Sequence, residues 1–157
     1  MKNAGEKNTL ELWLESLPKG SFVETKDSNI KFEEKGSKIV FENKSNKTCI
    51  KVNVDGGVIA KNTELRRCDN LLVVKQELLF SFVELKGKDI GHAIEQLEAS
   101  LKNPVLNPTC AQKKKAYAVG KNQIPLTSPF VQNKQKMFKT TLCADLIVCR
   151  TPATSGI

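Results

Sequence analysis

No stretch of this 157-residue chain is apolar for long enough to span a membrane, and Met1 to Lys7 is polar, with no hydrophobic run behind it of the kind export requires. A soluble cytoplasmic protein is expected. The five cysteines (Cys49, Cys68, Cys110, Cys143, Cys149) are odd in number and widely spaced, without the CxxC pairs that mark zinc sites and thiol redox centres. A reduced interior accounts for them. Histidine occurs once, at His92, and no serine or cysteine partner is implied by spacing, so the chain offers no nucleophile triad. Repeats, low-complexity segments and long linkers are missing too. One domain over residues 1–150 is expected, with a loose tail over 151–157.

What is present in excess is positive charge. Lysine and arginine number 25 against 17 acidic residues, a net +8 that attracts polyanions whatever their sequence. Nucleic acid is the favoured partner, although lysine-rich surfaces also serve plain solubility. The placement of the charge must decide.

Asn8-Thr9 predicts the cap of a helix whose apolar stripe is Leu10, Trp13, Leu14 and Leu17, ended by Pro18 and Gly20. Lys38 to Glu42 and Thr48 to Val54 read as two strands of a hairpin joined by the polar turn Asn43 to Lys47. Asp55-Gly56-Gly57 is a turn without the alternating oxygens and terminal glutamate of a calcium loop. Arg67 to Val74 predicts a further strand, and Leu78 to Lys86, apolar until its last positions, a buried central one. Asp89 caps a helix with the stripe Ile90, Ala93, Ile94, Leu97 and Leu101. Ala116 to Val119, Pro129 to Lys139 and Ala144 to Cys149 then read as strand, basic helix and strand. The fold class that follows is α/β, a mixed central sheet flanked by helices.

Side chains alternate along a strand, so Glu84 and Lys86 share one face while Leu85 points to the other. An acid and a base at the end of a buried apolar strand are unexpected unless the place opens to water or to a cation. Asp69 lies on the preceding strand, where antiparallel pairing would bring its carboxylate to Glu84. Two converging carboxylates suit a hard cation such as Mg²⁺ (or Mn²⁺), which takes few protein oxygens and keeps several waters. Asp69 and Glu84 would ligate it, Lys86 would orient water or stabilise developing charge, and the implied reaction is hydrolysis of a phosphodiester. Two further ExK triplets, Glu24-Thr25-Lys26 and Glu33-Glu34-Lys35, lie in polar segments and read as decoys.

Asp69, fourteen intervening residues and Glu84-Leu85-Lys86 on consecutive strands resemble the motif of the PD-(D/E)XK nuclease superfamily, whose restriction-endonuclease-like core is αβββαβ. The element order from Leu10 to Arg150 is similar to that core. It departs where Cys68 stands before Asp69 in place of proline. The resemblance implies a role for Gln96, at the position on the following helix where that superfamily often adds a polar residue to the site. It also implies an acid from the first helix, for which Glu11 and Glu15 both qualify.

Lys113-Lys114-Lys115, beside Tyr117 and followed by Lys121, Lys134, Lys136 and Lys139, forms a candidate nucleic-acid-binding surface. With one tyrosine and no aromatic interleaving, it suits backbone contact rather than base reading. The expected function is metal-dependent cleavage of DNA, by the chain alone, as a homodimer or beside a partner protein. The alternative is a non-catalytic module of the same fold, of the sort found in phage or mobile-element biology, that recognises nucleic acid or a partner protein.

Overall fold

The computed structural model describes residues 8–121 and 128–157, so the reading of Met1 to Lys7 lies outside the described residues. Helix α1 (Thr9–Ser16) starts at a capping box: Asn8 Oδ1 accepts the Glu11 N–H at 2.8 Å, and Glu11 Oε2 accepts the Asn8 N–H at 3.1 Å. Its stripe buries Leu10, Trp13 and Leu14, and the Trp13 indole donates to the Val105 carbonyl at 2.7 Å.

The central sheet is mixed and has the order β1 (Phe22–Thr25), β4 (Cys49–Asn53), β5 (Asn70–Val74), β6 (Leu79–Leu85), β7 (Lys113–Gly120), β8 (Asp145–Arg150). The tight turn at 75–78 makes β5 and β6 antiparallel. β6 reaches β7 through α2 (Ile90–Leu101) and β7 reaches β8 through α3 (Pro129–Thr141), and such crossovers make those pairs parallel. Helices α1, α2 and α3 pack on one face, where Leu71, Val73, Phe80 and Phe82 meet Trp13, Ala93, Ile94, Leu97 and Phe138.

The other face is covered by a small sheet of order β2 (Asn29–Glu34), β3 (Ser37–Glu42), β9 (Ala153–Gly156). Ile30, Phe32, Ile39 and Phe41 close a second core over Leu72, Val83, Leu85 and Val119, and the Phe41 and Tyr117 rings meet edge to face at 5.2 Å. Among the described residues, helices therefore flank the central sheet on one side only.

Three expectations need correction. Residues 38–42 and 48–54 do not form a hairpin, because β3 and β4 belong to different sheets. The pivot is Asn43, fully buried, whose amide donates to the carbonyls of Asp27 and Lys47 while its oxygen accepts the Lys47 N–H, turning the chain out of one sheet and into the other. β1 and β2 precede them and were not expected, since their residues are mostly polar. The segment after Arg150 is no loose tail: β9 pairs in parallel with β3, and the Ile157 N–H donates to the Glu42 carbonyl at 3.1 Å. Among the described residues no helix is long and apolar enough to cross a membrane.

Candidate metal and catalytic site

Asp69 immediately precedes β5. In the β5–β6 register Asn70 stands opposite Val83, so the next pair outward is Asp69 and Glu84. The pairing is fastened by Asp69 itself, whose Oδ2 accepts the Leu85 N–H at 2.9 Å. Both acids point to the helical face of the sheet, as Phe80 and Phe82 do, while Leu85 packs into the opposite core. Lys86 lies one residue past β6, where its N–H still donates to the Val119 carbonyl at 2.8 Å and prolongs the ladder. The antiparallel turn and the parity of the strand thus bring Asp69, Glu84 and Lys86 together.

The two carboxylates are almost wholly buried, Asp69 at 3% and Glu84 at 1% exposure. Lys86 Nζ stands 3.7 Å from Glu84 Oε1, and Lys35 Nζ stands 3.4 Å from Asp69 Oδ1. Glu84 Oε2 has no hydrogen-bond partner among the described residues. Burial, and then the charge of Asp69, push the Glu84 carboxyl from an ordinary 4.5 up to about 8, against the opposing pull of Lys35 and Lys86. Burial opposes charge on Lys35, yet Asp69 and then Glu84 outweigh it and hold its ammonium above the usual lysine range. A buried carboxylate oxygen without a hydrogen-bond partner, next to a second carboxylate, is of the chemistry that a hard cation takes. Among the described residues no group of three or more histidine, cysteine, aspartate and glutamate side chains is placed to share a metal, and Asp69 and Glu84 would offer a cation two carboxylates. Such a set fits a cation that keeps most of its waters for substrate.

A cleft of about 400 Å³ opens over these groups and is lined also by Gln96, His92, Asp55 and Arg67. Gln96 lines the cleft, and its amide is committed to protein partners: Oε1 accepts the Arg67 N–H at 3.0 Å, and Nε2 meets His92 Nε2 at 3.1 Å. It therefore ties the wall before Asp69 to α2 and orients the imidazole. Arg67 fixes that wall, donating to the Asp55 carboxylate at 3.0 Å and to the carbonyls of Thr63 and Ala60. Of the two α1 acids, neither lines the cleft, and Glu11 is engaged in the helix cap.

The lysine cluster is elsewhere. Lys114 pairs with Phe80, four positions before Glu84, which places it about 13 Å from the acids at roughly 3.3 Å per strand residue. Lys113, Lys114 and Lys115 instead line a separate cleft with Lys139 and Asp145.

Lys35 and Glu34 were not expected at the site. They arrive at the tip of the β2–β3 hairpin, within the triplet Glu33-Glu34-Lys35 that its polar surroundings mark as a decoy. Burial and the Asp69 charge hold the Glu34 carboxyl above its ordinary range. The available signal was the Lys35-Gly36 turn after the alternating Ile30 and Phe32.

Comparison with protein-family models, curated proteins and solved structures returns no match to this chain. The functional reading rests on the geometry.

Proposed function

We propose that this chain is a divalent-metal-dependent nuclease of the PD-(D/E)XK type that hydrolyses DNA phosphodiester bonds. The observation that carries the reading is the buried pair Asp69 and Glu84 facing each other across β5 and β6, with one Glu84 oxygen unpartnered among the described residues and Lys86 beside it. The run β4, β5, β6, α2, β7 in the central sheet supports it, an antiparallel meander followed by a helix and a parallel strand, with Asp69 immediately before β5 and Glu84 on β6, although β1, β2 and β3 separate this run from α1. Asp69 and Glu84 would hold Mg²⁺ or Mn²⁺, which supplies Lewis-acid polarisation of a phosphate oxygen and a water of lowered pKa. Lys86 presents an ammonium where charge develops on the phosphate, and the same ammonium can orient the attacking water. Gln96 and Arg67 keep the cleft wall in place. The net charge of +8 suits a polyanionic substrate held through its backbone.

A second reading, the non-catalytic binding module, draws on one specific observation: Asp69 and Glu84 each already face a lysine. A single experiment separates the two. Purified protein is incubated with single-stranded and duplex DNA and RNA in Mg²⁺ or Mn²⁺, with chelator controls. Cation-dependent cleavage is the expected result. Stable binding with no strand scission under either metal sinks the nuclease reading and favours the module.

The position of the lysine cluster sets a further expectation. Replacing Lys113, Lys114 and Lys115 by glutamine should lower the salt slope of DNA binding by about 0.9 for each phosphate that these ammoniums neutralise, while cleavage at saturating substrate is unchanged because the acids are remote. A titration of affinity against salt reads this directly, and an unchanged slope would make the cluster a solvated face.

A further inference from the structure

Lys35 is delivered to the acids by the tip of the β2–β3 hairpin, which belongs to the small sheet and not to the central one. The β2–β3 hairpin turns on two residues, Lys35 at φ 52° and Gly36 at φ 75°, with Glu34 opposite Ser37. Positive φ at both central positions is a type I′ turn, which matches the twist of its strands and favours asparagine and glycine. A lysine there costs backbone strain. The tip is anchored: Ser37 Oγ donates to the Lys86 carbonyl at 2.7 Å, and Phe32 lies buried in the second core. The backbone is held while the side chain remains 46% exposed.

Of the two Asp69 oxygens, Oδ2 is committed to the Leu85 N–H, so Oδ1 is the one left for a cation. Oδ1 is the oxygen that faces Lys35. Their separation of 3.4 Å is longer than the roughly 2.7–2.9 Å of a charge-assisted hydrogen bond, as is the 3.7 Å between Lys86 and Glu84, and of the two lysines Lys35 is the more exposed, 46% against 21%. We propose that Lys35 is a second working cation of this site, neutralising Asp69 when no divalent cation is bound and released by metal binding to hold a phosphate oxygen of the substrate. The proposal rests on the nuclease reading. Released from Oδ1, the ammonium stays within the length of its stem, on the cleft wall that it shares with Lys86. The two lysines then have different duties: Lys86, paired to Glu84, acts on the reacting centre, and Lys35 positions the chain being cut.

The test uses Lys35→Asn and Lys35→Gly, residues that suit a positive φ and so preserve the turn, with Lys35→Arg as the charge-conserving control; thermal melts confirm folding. Mn²⁺ binding to the protein alone, measured by calorimetry, should tighten about five- to tenfold in the Asn and Gly variants, because a competing charge next to Oδ1 is gone. KM for DNA should rise about tenfold with kcat nearly unchanged, and the salt slope of binding should fall by about 0.9. Lys35→Arg should stay near wild type in all three. If the Asn and Gly variants bind Mn²⁺ as wild type does, or leave KM and the salt slope unmoved, the proposal is overturned while the nuclease reading stands. A wild-type protein that neither binds Mn²⁺ nor cleaves overturns both.

Discussion

Lys86→Met is expected to lower kcat by about three orders of magnitude while Mn²⁺ affinity stays within a few-fold of wild type. The methionine keeps most of the aliphatic stem and so most of the packing, and it removes the ammonium 3.7 Å from Glu84 Oε1. A charge that meets the substrate only as negative charge develops contributes to the transition state rather than to binding. Its loss therefore lowers kcat and kcat/KM together and leaves KM alone. Metal affinity should not weaken, since a cation next to the site has been taken away rather than a ligand. The measurement is single-turnover cleavage with Mn²⁺ calorimetry on the same preparation. Unchanged turnover would reduce Lys86 to an ion-pair partner of Glu84, and a rise in KM at constant kcat would make it a residue that positions the DNA, as Lys35 is proposed to do.

The parts of this site that are legible in the sequence are those set by short-range rules. Glu84 and Lys86 follow from strand parity at the end of an apolar run. Asp69 follows from the tight turn at 75–78, because antiparallel neighbours joined so closely have little freedom of register. Gln96 was reachable only through the resemblance, and its bond to the Arg67 N–H shows a fastening role that no spacing suggests. What escapes the sequence is long-range. β2 has only Ile30 and Phe32 pointing inward among charged neighbours, so its alternation is too short to read against the local charge. β9 pairs with β3 along the backbone and adds Ala153 and the Ser155 hydroxyl to the packing, but its Ala-Thr-Ser-Gly composition carries no strand signal. The expected β3–β4 hairpin assumed that consecutive strands pair, which fails here because Asn43 satisfies its amide on Asp27 and Lys47 and redirects the chain. The distance of Lys113–Lys115 from the acids depends on the parallel register of β6 and β7, a property of the crossover and not of either strand.

Glu84→Gln is expected to abolish cleavage and, in the metal-free protein, to raise the melting temperature at about pH 8–9 by several degrees while flattening its dependence on pH. The sign follows from the Glu84 carboxyl, which titrates near 4.5 in an unfolded chain and is pushed up to about 8 in the folded one by burial and by Asp69. Between those values the folded protein holds a proton that the unfolded chain has released. The contribution to stability is therefore full below about pH 4.5 and is lost as the pH rises through about 8, a decline on the order of a few kcal/mol. Glutamine fills the same space with no proton to lose, so it is spared that decline, and in a chain of this length each kcal/mol is worth roughly 2–4 °C. Divalent cation reverses the ordering. Wild type at about pH 8 should be stabilised by Mn²⁺ and should give up a proton on binding it, visible as a buffer-dependent heat, whereas Glu84→Gln should show neither effect. Parallel melting profiles for the two proteins from about pH 5 to 9 would mean that the buried carboxyl carries no such strain. The unpartnered Oε2 would then lose its standing as an oxygen kept for a metal, and Asp69 and Glu84 with their two flanking lysines would read as a structural charge cluster.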